Sequence, residues 1–147
     1  MPVSDEALLF DAVREAGALG LSLSKRRDLQ RWTKPDGSEV TEADLAINAL
    51  LEERLRKATP DYGWLSEETP DVPHLRMAQE KLWIIDPIDG TSAFIAGRRD
   101  WCVAAALAIA GRPVLAAVYC PLREEFFTAA AGQGASLNGQ PLRMPDH

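Results

Sequence analysis

Residues 83–92 read WIIDPIDGTS. The apolar run predicts a buried strand that ends at Asp86-Pro87 and delivers two carboxylates, Asp86 and Asp89, into one small volume. Two such carboxylates repel each other unless a cation lies between them, and Mg²⁺ prefers oxygen ligands. Glu67 follows another predicted strand, residues 63–66, and can supply a third acid. The stretch therefore predicts a carboxylate site for Mg²⁺.

The residues that follow this strand suit an anion. Gly90 permits a tight turn, and a helix beginning at Thr91 or Ser92 would direct its positive end outward. A phosphate would then lie beside the metal, which lowers the pKa of a bound water and favours hydrolysis without a protein nucleophile. An ordinary Asp-Pro, Asp-Gly loop is the alternative for the acidic turn taken alone.

Spacing separates this pattern from two other acidic motifs. An EF-hand calcium loop has acids at alternating positions and a later bidentate Glu, whereas Asp86 and Asp89 are three residues apart. The aspartyl-phosphate phosphatases of the haloacid dehalogenase type carry Asp-x-Asp-Gly-Thr after an apolar strand. The extra residue between the acids here makes that class a minor alternative.

The first part of the chain is predicted to be helical. Ser4 begins a long helix with an apolar stripe, residues 34–38 form a loop, and Thr41 caps a second helix that ends near Ala58. Residues 69–79, with two prolines, read as a mobile surface loop.

From residue 101 to residue 142 the pattern changes to a strand meander. Residues 102–109 and 114–119 flank a hairpin connection at 110–113, residues 126–128 form another strand, and Asn138-Gly139 is a turn. Helices followed by antiparallel strands indicate an α+β fold, with two N-terminal helices packed on a mainly antiparallel sheet. The central strands are apolar on both faces, and two helices can cover only one face.

Composition limits the class of protein. The chain has 147 residues, 46% of them hydrophobic, and a net charge of -6. This describes one globular domain or a piece of a larger protein, with neither a nucleic acid polymer nor a membrane as partner. The N-terminus lacks a signal-peptide pattern, so we expect a cytoplasmic protein with reduced cysteines. Cys102 and Cys120 flank the turn at Gly111 almost symmetrically, which would place them near each other on paired strands.

Several blocks together resemble the inositol monophosphatase family. Residues 34–44, ending VTEAD, are similar to its first motif, residues 65–68 to its Gly-Glu-Glu block with serine for glycine, and residues 83–94 to its signature. Residues 117–125, 132–135 and 137–139 also resemble its meander. The resemblance implies an Mg²⁺-dependent, lithium-sensitive phosphomonoesterase, with residues 1–147 as the N-terminal metal-binding domain of a layered α/β sandwich and the C-terminal domain absent.

The resemblance also implies roles for particular residues. Glu67, Asp86 and the carbonyl of Ile88 would bind one metal, and Asp86 with Asp89 a second. Asp44 and Thr91 would activate water together with Glu67, and Lys34 would add positive charge at the edge of the site. The substrate phosphate would be held by Asp89, Gly90, Thr91 and Ser92.

The resemblance leaves the substrate and the assembly open. Residues 95–98 are more similar to the bisphosphate nucleotidase and histidinol-phosphatase branches than to the inositol-phosphate branch, so all three remain candidates for a small phosphorylated metabolite. We expect a homo-oligomer or association with the missing C-terminal half, and weak or no activity of this chain alone. The alternative from another class is a noncatalytic metal-binding or assembly module.

Overall fold

The computed structural model describes residues 3–145. Its α-helices are α1 Asp5–Ser24, α2 Glu42–Leu51, α3 Pro73–Met77 and α4 Thr91–Ile95. Its strands are β1 Arg31–Thr33, β2 Glu39–Thr41, β3 Gly63–Ser66, β4 Lys81–Asp89, β5 Cys102–Ile109, β6 Arg112–Cys120, β7 Glu125–Ala130, β8 Gly134–Leu137 and β9 Gln140–Pro141. A π-helical turn, Glu52–Arg56, follows α2, and a 3₁₀ turn, Pro121–Arg123, follows β6.

The strands β3 to β9 form one sheet in chain order. Only the β3–β4 pair is parallel, and every other pair is antiparallel. β1 and β2 form a separate two-stranded hairpin around the predicted loop at 34–38. The α+β fold predicted from the sequence is confirmed.

The two long helices cover one face of this sheet. The side chain of Ser4 caps α1, and Thr41 with Asp44 forms a capping box on α2, as the sequence predicts. Helix α1 packs on β5 and β6, and α2 packs on β4. Trp83 is fully buried at the centre of the resulting core. The helical segment after Thr41 changes to π-helical geometry at Glu52, ahead of the predicted end near Ala58.

The prediction that the buried strand ends at Asp86-Pro87 is wrong. β4 continues to Asp89, and its register against β5 shifts, because Asp86 lies opposite Ala104 whereas Asp89 lies opposite Cys102. Three steps along β4 therefore match two steps along β5, which is the geometry of a β-bulge. Proline lacks an N–H donor and is tolerated at such bulges, so the strand passes through Pro87.

The segment at residues 69–79 is only partly a loop. It contains the short helix α3, with Pro73 in its first turn, where a missing N–H costs little. No helix among residues 3–145 is long and apolar enough to cross a lipid bilayer. The cytoplasmic location remains a prediction from the sequence.

The other face of the sheet is open. Ile84 on β4, Ala106 on β5 and Ala116 on β6 lie side by side on it, and Ala104 and Val118 form the next row. These residues line a depression of about 850 Å³, and 40% of Ile84 is exposed. We call this surface, Ile84, Ala104, Ala106, Ala116 and Val118, the open face. As the sequence predicts, the two long helices leave one apolar face uncovered.

Candidate metal and phosphate site

The bulge in β4 brings two carboxylates to the same side of the sheet. On a regular strand, residues three apart point to opposite faces. The extra residue in the bulge reverses this, so Asp86 and Asp89 both lie on the side of the open face. Ser66 of β3 pairs with Ile85 of the parallel strand β4, which places Glu67 beside Asp86 at the edge of the depression.

The pKa of Asp86 records this crowding. Burial, which is the largest cause, and then the nearby carboxylates of Asp89, Glu67, Asp44 and Glu68, in that order, together raise it from 3.8 to about 6. A carboxyl with a pKa raised by like charges is stabilised in its ionised form by any cation that enters. The structure thus brings together the acids that the sequence predicts as metal ligands.

The donor set is chemically suited to Mg²⁺. Its members are hard oxygen donors, the carboxylates of Glu67, Asp86 and Asp89 and the carbonyl of Ile88, whose oxygen lies 3.4 Å from the Thr91 hydroxyl. Among residues 3–145, no three His, Cys, Asp or Glu side chains meet closely enough to form a finished metal centre. The carboxylates therefore form an acidic cluster whose side chains would have to adjust to enclose a cation.

Asp44 joins α2 to the start of α4. Its Oδ2 accepts hydrogen bonds from the backbone N–H and hydroxyl of Thr41, at 2.9 and 2.6 Å, and its Oδ1 accepts the hydroxyl of Thr91 at 2.9 Å. The Asp44 side chain is buried, with all of these contacts inside the protein. Since the Thr91 hydroxyl donates its proton to Asp44, its oxygen lone pairs remain able to accept from a water molecule.

Gly90 allows the chain to turn directly from β4 into α4. Its φ of +93° lies in the left-handed region, and a Cβ there would meet the carbonyl oxygen of Asp100 at 3.0 Å. Helix α4 begins at Thr91, as predicted, and Ser92 in its first turn is exposed. Phe94 holds α4 against Trp101, with ring centroids 5.0 Å apart.

Lys34 is held by a carboxylate that the sequence analysis did not single out. Its Nζ donates to Oε1 of Glu68 at 2.7 Å, and the Glu68 side chain is only 9% exposed. This hydrogen bond, with smaller contributions from the charges of Glu68 and Glu67, raises the pKa of Lys34. Lys34 thus lies beside the acidic cluster, and its positive charge is paired with the carboxylate of Glu68.

A buried polar network fixes the segment that carries Glu67. The hydroxyl of Ser66 donates to Asn48 Oδ1 at 2.6 Å, and Asn48 Nδ2 donates to the Thr69 hydroxyl at 2.8 Å. Trp64 donates to the same hydroxyl at 3.1 Å. Ser66 and Asn48 were missed as supporting residues; the only signal was serine in place of glycine before the two glutamates.

The chain belongs to the inositol monophosphatase family, whose model matches residues 5–147. The Nus factor SuhB of Salmonella typhimurium is 37% identical over 140 residues, which are 92% of this chain and 52% of that protein. Inositol monophosphatase 2 of Solanum lycopersicum is 38% identical over 107 residues, 71% of this chain and 40% of that protein.

Solved structures show the same fold. The extragenic suppressor protein SuhB of Bartonella henselae aligns with a TM-score of 0.89 and 29% identity, over 96% of this chain and 54% of that one. A structure described as IMPase/NADP phosphatase complexed with Mg²⁺ and phosphate aligns with a TM-score of 0.83 and 26% identity, over 95% of this chain and 52% of that one. The chain spans about half the length of the relatives it matches.

Proposed function

We propose that this chain supplies the metal-binding and water-activating part of an Mg²⁺-dependent phosphomonoesterase. The observation that carries the proposal is the hydrogen bond between Thr91 and the buried Asp44, next to a cluster of carboxylates in which burial and the neighbouring acids raise the pKa of Asp86 to about 6. Hydrolysis of a phosphate dianion in an acidic pocket needs both features, a water-orienting pair and donors for a cation. The fold shared with a structure complexed with Mg²⁺ and phosphate supports the same chemistry.

The roles follow from the chemistry of each group. Glu67, Asp86, Asp89 and the Ile88 carbonyl would hold Mg²⁺, which when bound makes water acidic enough to attack phosphorus near neutral pH. Because the Thr91 hydroxyl donates its proton to Asp44, the Thr91 oxygen can accept a hydrogen bond from a water molecule on its outer side and orient that water.

The substrate phosphate has its own set of groups. The backbone at Gly90 and the first turn of α4, Thr91 and Ser92, would hold the phosphate, with Asp89 beside it. Lys34 lowers the total negative charge at the entrance through its ion pair with Glu68. Its direct contact with substrate remains a prediction.

The proposed substrate is a small phosphorylated metabolite, and the experiment is a phosphate-release screen with Mg²⁺. Inositol monophosphate, a 3',5'-bisphosphonucleotide and histidinol phosphate represent the three branches that the sequence leaves open. The screen uses this chain and a longer form extended to the length of its relatives. The expected result is release of phosphate from one of the three substrates. This release should be lost in Asp86→Asn and retained in the exposed control Asp61→Asn. Release that is indifferent to Asp86→Asn contradicts the proposal.

We propose further that polypeptide equivalent to the rest of the relatives covers the open face. The matched relatives extend over about twice this chain's length, and the open face is apolar across three strands. A second copy of this chain would bring a second acidic cluster toward the first, which electrostatic repulsion opposes. The expected weak activity of this chain alone follows from the same proposal.

A noncatalytic assembly module is the second candidate, because relatives 37% identical are named Nus factor SuhB. Light scattering of this chain, alone and mixed with the remaining half of Salmonella typhimurium SuhB, tests the open face. Formation of a one-to-one complex that restores Mg²⁺-dependent phosphate release supports the covered enzyme. A complex without phosphate release supports the assembly module. A homodimer, or a monomer that ignores the added half, contradicts the proposed occupant.

A further inference from the structure

Cys102 and Cys120 lie opposite each other on neighbouring antiparallel strands. Val103 of β5 pairs with Tyr119 of β6, and one step further out β5 begins at Cys102 while β6 ends at Cys120. Directly opposed residues point to the same face, with Cα atoms about 4.5 to 5.5 Å apart. A disulfide requires Cα atoms about 4.4 to 6.8 Å apart, so the pair meets this condition without a change of register.

Both thiols are free and half-buried, and they lie near each other. Burial first, and then the nearby Cys120 and Asp89, raise the pKa of Cys102 to about 12. Both continue the rows of Ala104 and Val118, so they border the open face and not the helix-covered core. In this chain without a covering partner, a small oxidant can therefore approach them from the side of the open face.

We propose that Cys102 and Cys120 form a reversible cross-strand disulfide, with a low-molecular-weight disulfide such as glutathione disulfide as the oxidant. One cysteine sulfur attacks glutathione disulfide, releasing one glutathione thiol and leaving a mixed disulfide. The second cysteine then attacks the protein-bound sulfur and releases the second glutathione. The two cysteines lose two electrons and two protons, which the two glutathione thiols receive.

The disulfide would also act on the candidate metal site. Cys102 Sγ donates a weak hydrogen bond to Asp89 Oδ2 at 3.9 Å, and Asp89 is its neighbour on β4. Oxidation removes this donor and draws the Cys102 sulfur toward Cys120. This part rests on the proposed function, since it assumes that Asp89 helps to hold Mg²⁺.

The first experiment is intact mass and peptide mapping after prolonged incubation of this chain with glutathione disulfide at mildly alkaline pH. We expect the wild type to lose two hydrogen atoms in mass, to link the two cysteine peptides, and to recover both thiols with dithiothreitol. Cys102→Ser and Cys120→Ser are expected to keep a glutathione adduct, because no second thiol is present. Wild type that keeps its adducts, stays reduced, or links only between molecules overturns the disulfide.

The second experiment compares Mg²⁺ binding by the oxidised and reduced wild type with titration calorimetry. Because a weak hydrogen bond is lost from Asp89, we expect the oxidised chain to bind Mg²⁺ about twofold more tightly. Equal affinities, with the disulfide proven by mass, overturn the link to Asp89. Absence of Mg²⁺ binding in both states identifies failure of the proposed function instead.

Discussion

The substitution Asp86→Asn is expected to stabilise the metal-free protein at neutral pH. Its carboxyl has a pKa of about 6 in the folded chain against 3.8 ordinarily, so folding favours the protonated form. A difference of about two pH units corresponds to about 3 kcal/mol, and water around a partly exposed carboxyl reduces this to roughly 1 to 2 kcal/mol. This penalty is full above about pH 6, shrinks as the pH falls, and is gone near pH 4 and below. Asparagine keeps the shape and removes the charge.

The assay is urea unfolding with EDTA at about pH 8, 6 and 4 for wild type, Asp86→Asn and the exposed control Asp61→Asn. The advantage of Asp86→Asn over wild type should be largest at pH 8 and vanish at pH 4, while Asp61→Asn should follow wild type. An Asp86→Asn protein that is no more stable than wild type at pH 8 would contradict the raised pKa that burial and the neighbouring acids give this carboxyl.

Four further substitutions test the site and its support. Asp44→Ala should lower the free energy of unfolding by roughly 2 to 4 kcal/mol in urea, because it removes a helix cap and leaves buried partners unpaired; a loss below 1 kcal/mol would be too small for that network. In a form that releases phosphate, Thr91→Ala should reduce turnover by about 10² to 10⁴ and leave Mg²⁺ affinity unchanged, whereas full turnover would remove its water-orienting role. Ser66→Ala should cost roughly 1 to 3 kcal/mol by orphaning Asn48 Oδ1, and an unchanged urea midpoint would argue against the buried network. Gly17→Ala should cost roughly 1 to 3 kcal/mol, because the methyl group of the new alanine would overlap the ring of Tyr119 on β6. Wild-type thermal stability of this variant would refute that close approach.

The sequence predicted the features that depend on local pattern. The capping box at Thr41 and the start of α4 at Thr91 both follow from residues within a few positions of each other, and both are confirmed. The placement of Cys102 and Cys120 near each other on paired strands followed from their symmetry about one turn, and β5 does pair with β6 up to Val103 opposite Tyr119, one residue from each cysteine.

The sequence did not predict the features that depend on register or on distant contacts. Alternation along residues 83–89 cannot reveal a bulge, and only the register against β5 shows why Asp86 and Asp89 share a face. Lys34 and Glu68 are 34 positions apart along the chain, and Asn48 and Ser66 are 18 positions apart. Tertiary packing creates such pairs, and no local spacing rule contains them.

Mg²⁺ titration calorimetry on this chain tests the central claim most directly. Wild type is expected to bind Mg²⁺, Glu67→Gln and Asp86→Asn to lose most of that affinity, and Asp89→Asn to lose less, because Glu67 and Asp86 are predicted to anchor the first metal. The rise in Tm on adding Mg²⁺ should rank the variants in the same order, since an ion that binds only the folded state raises Tm. Equal Mg²⁺ affinity in wild type and Asp86→Asn would contradict the assignment of this acidic cluster as the metal site.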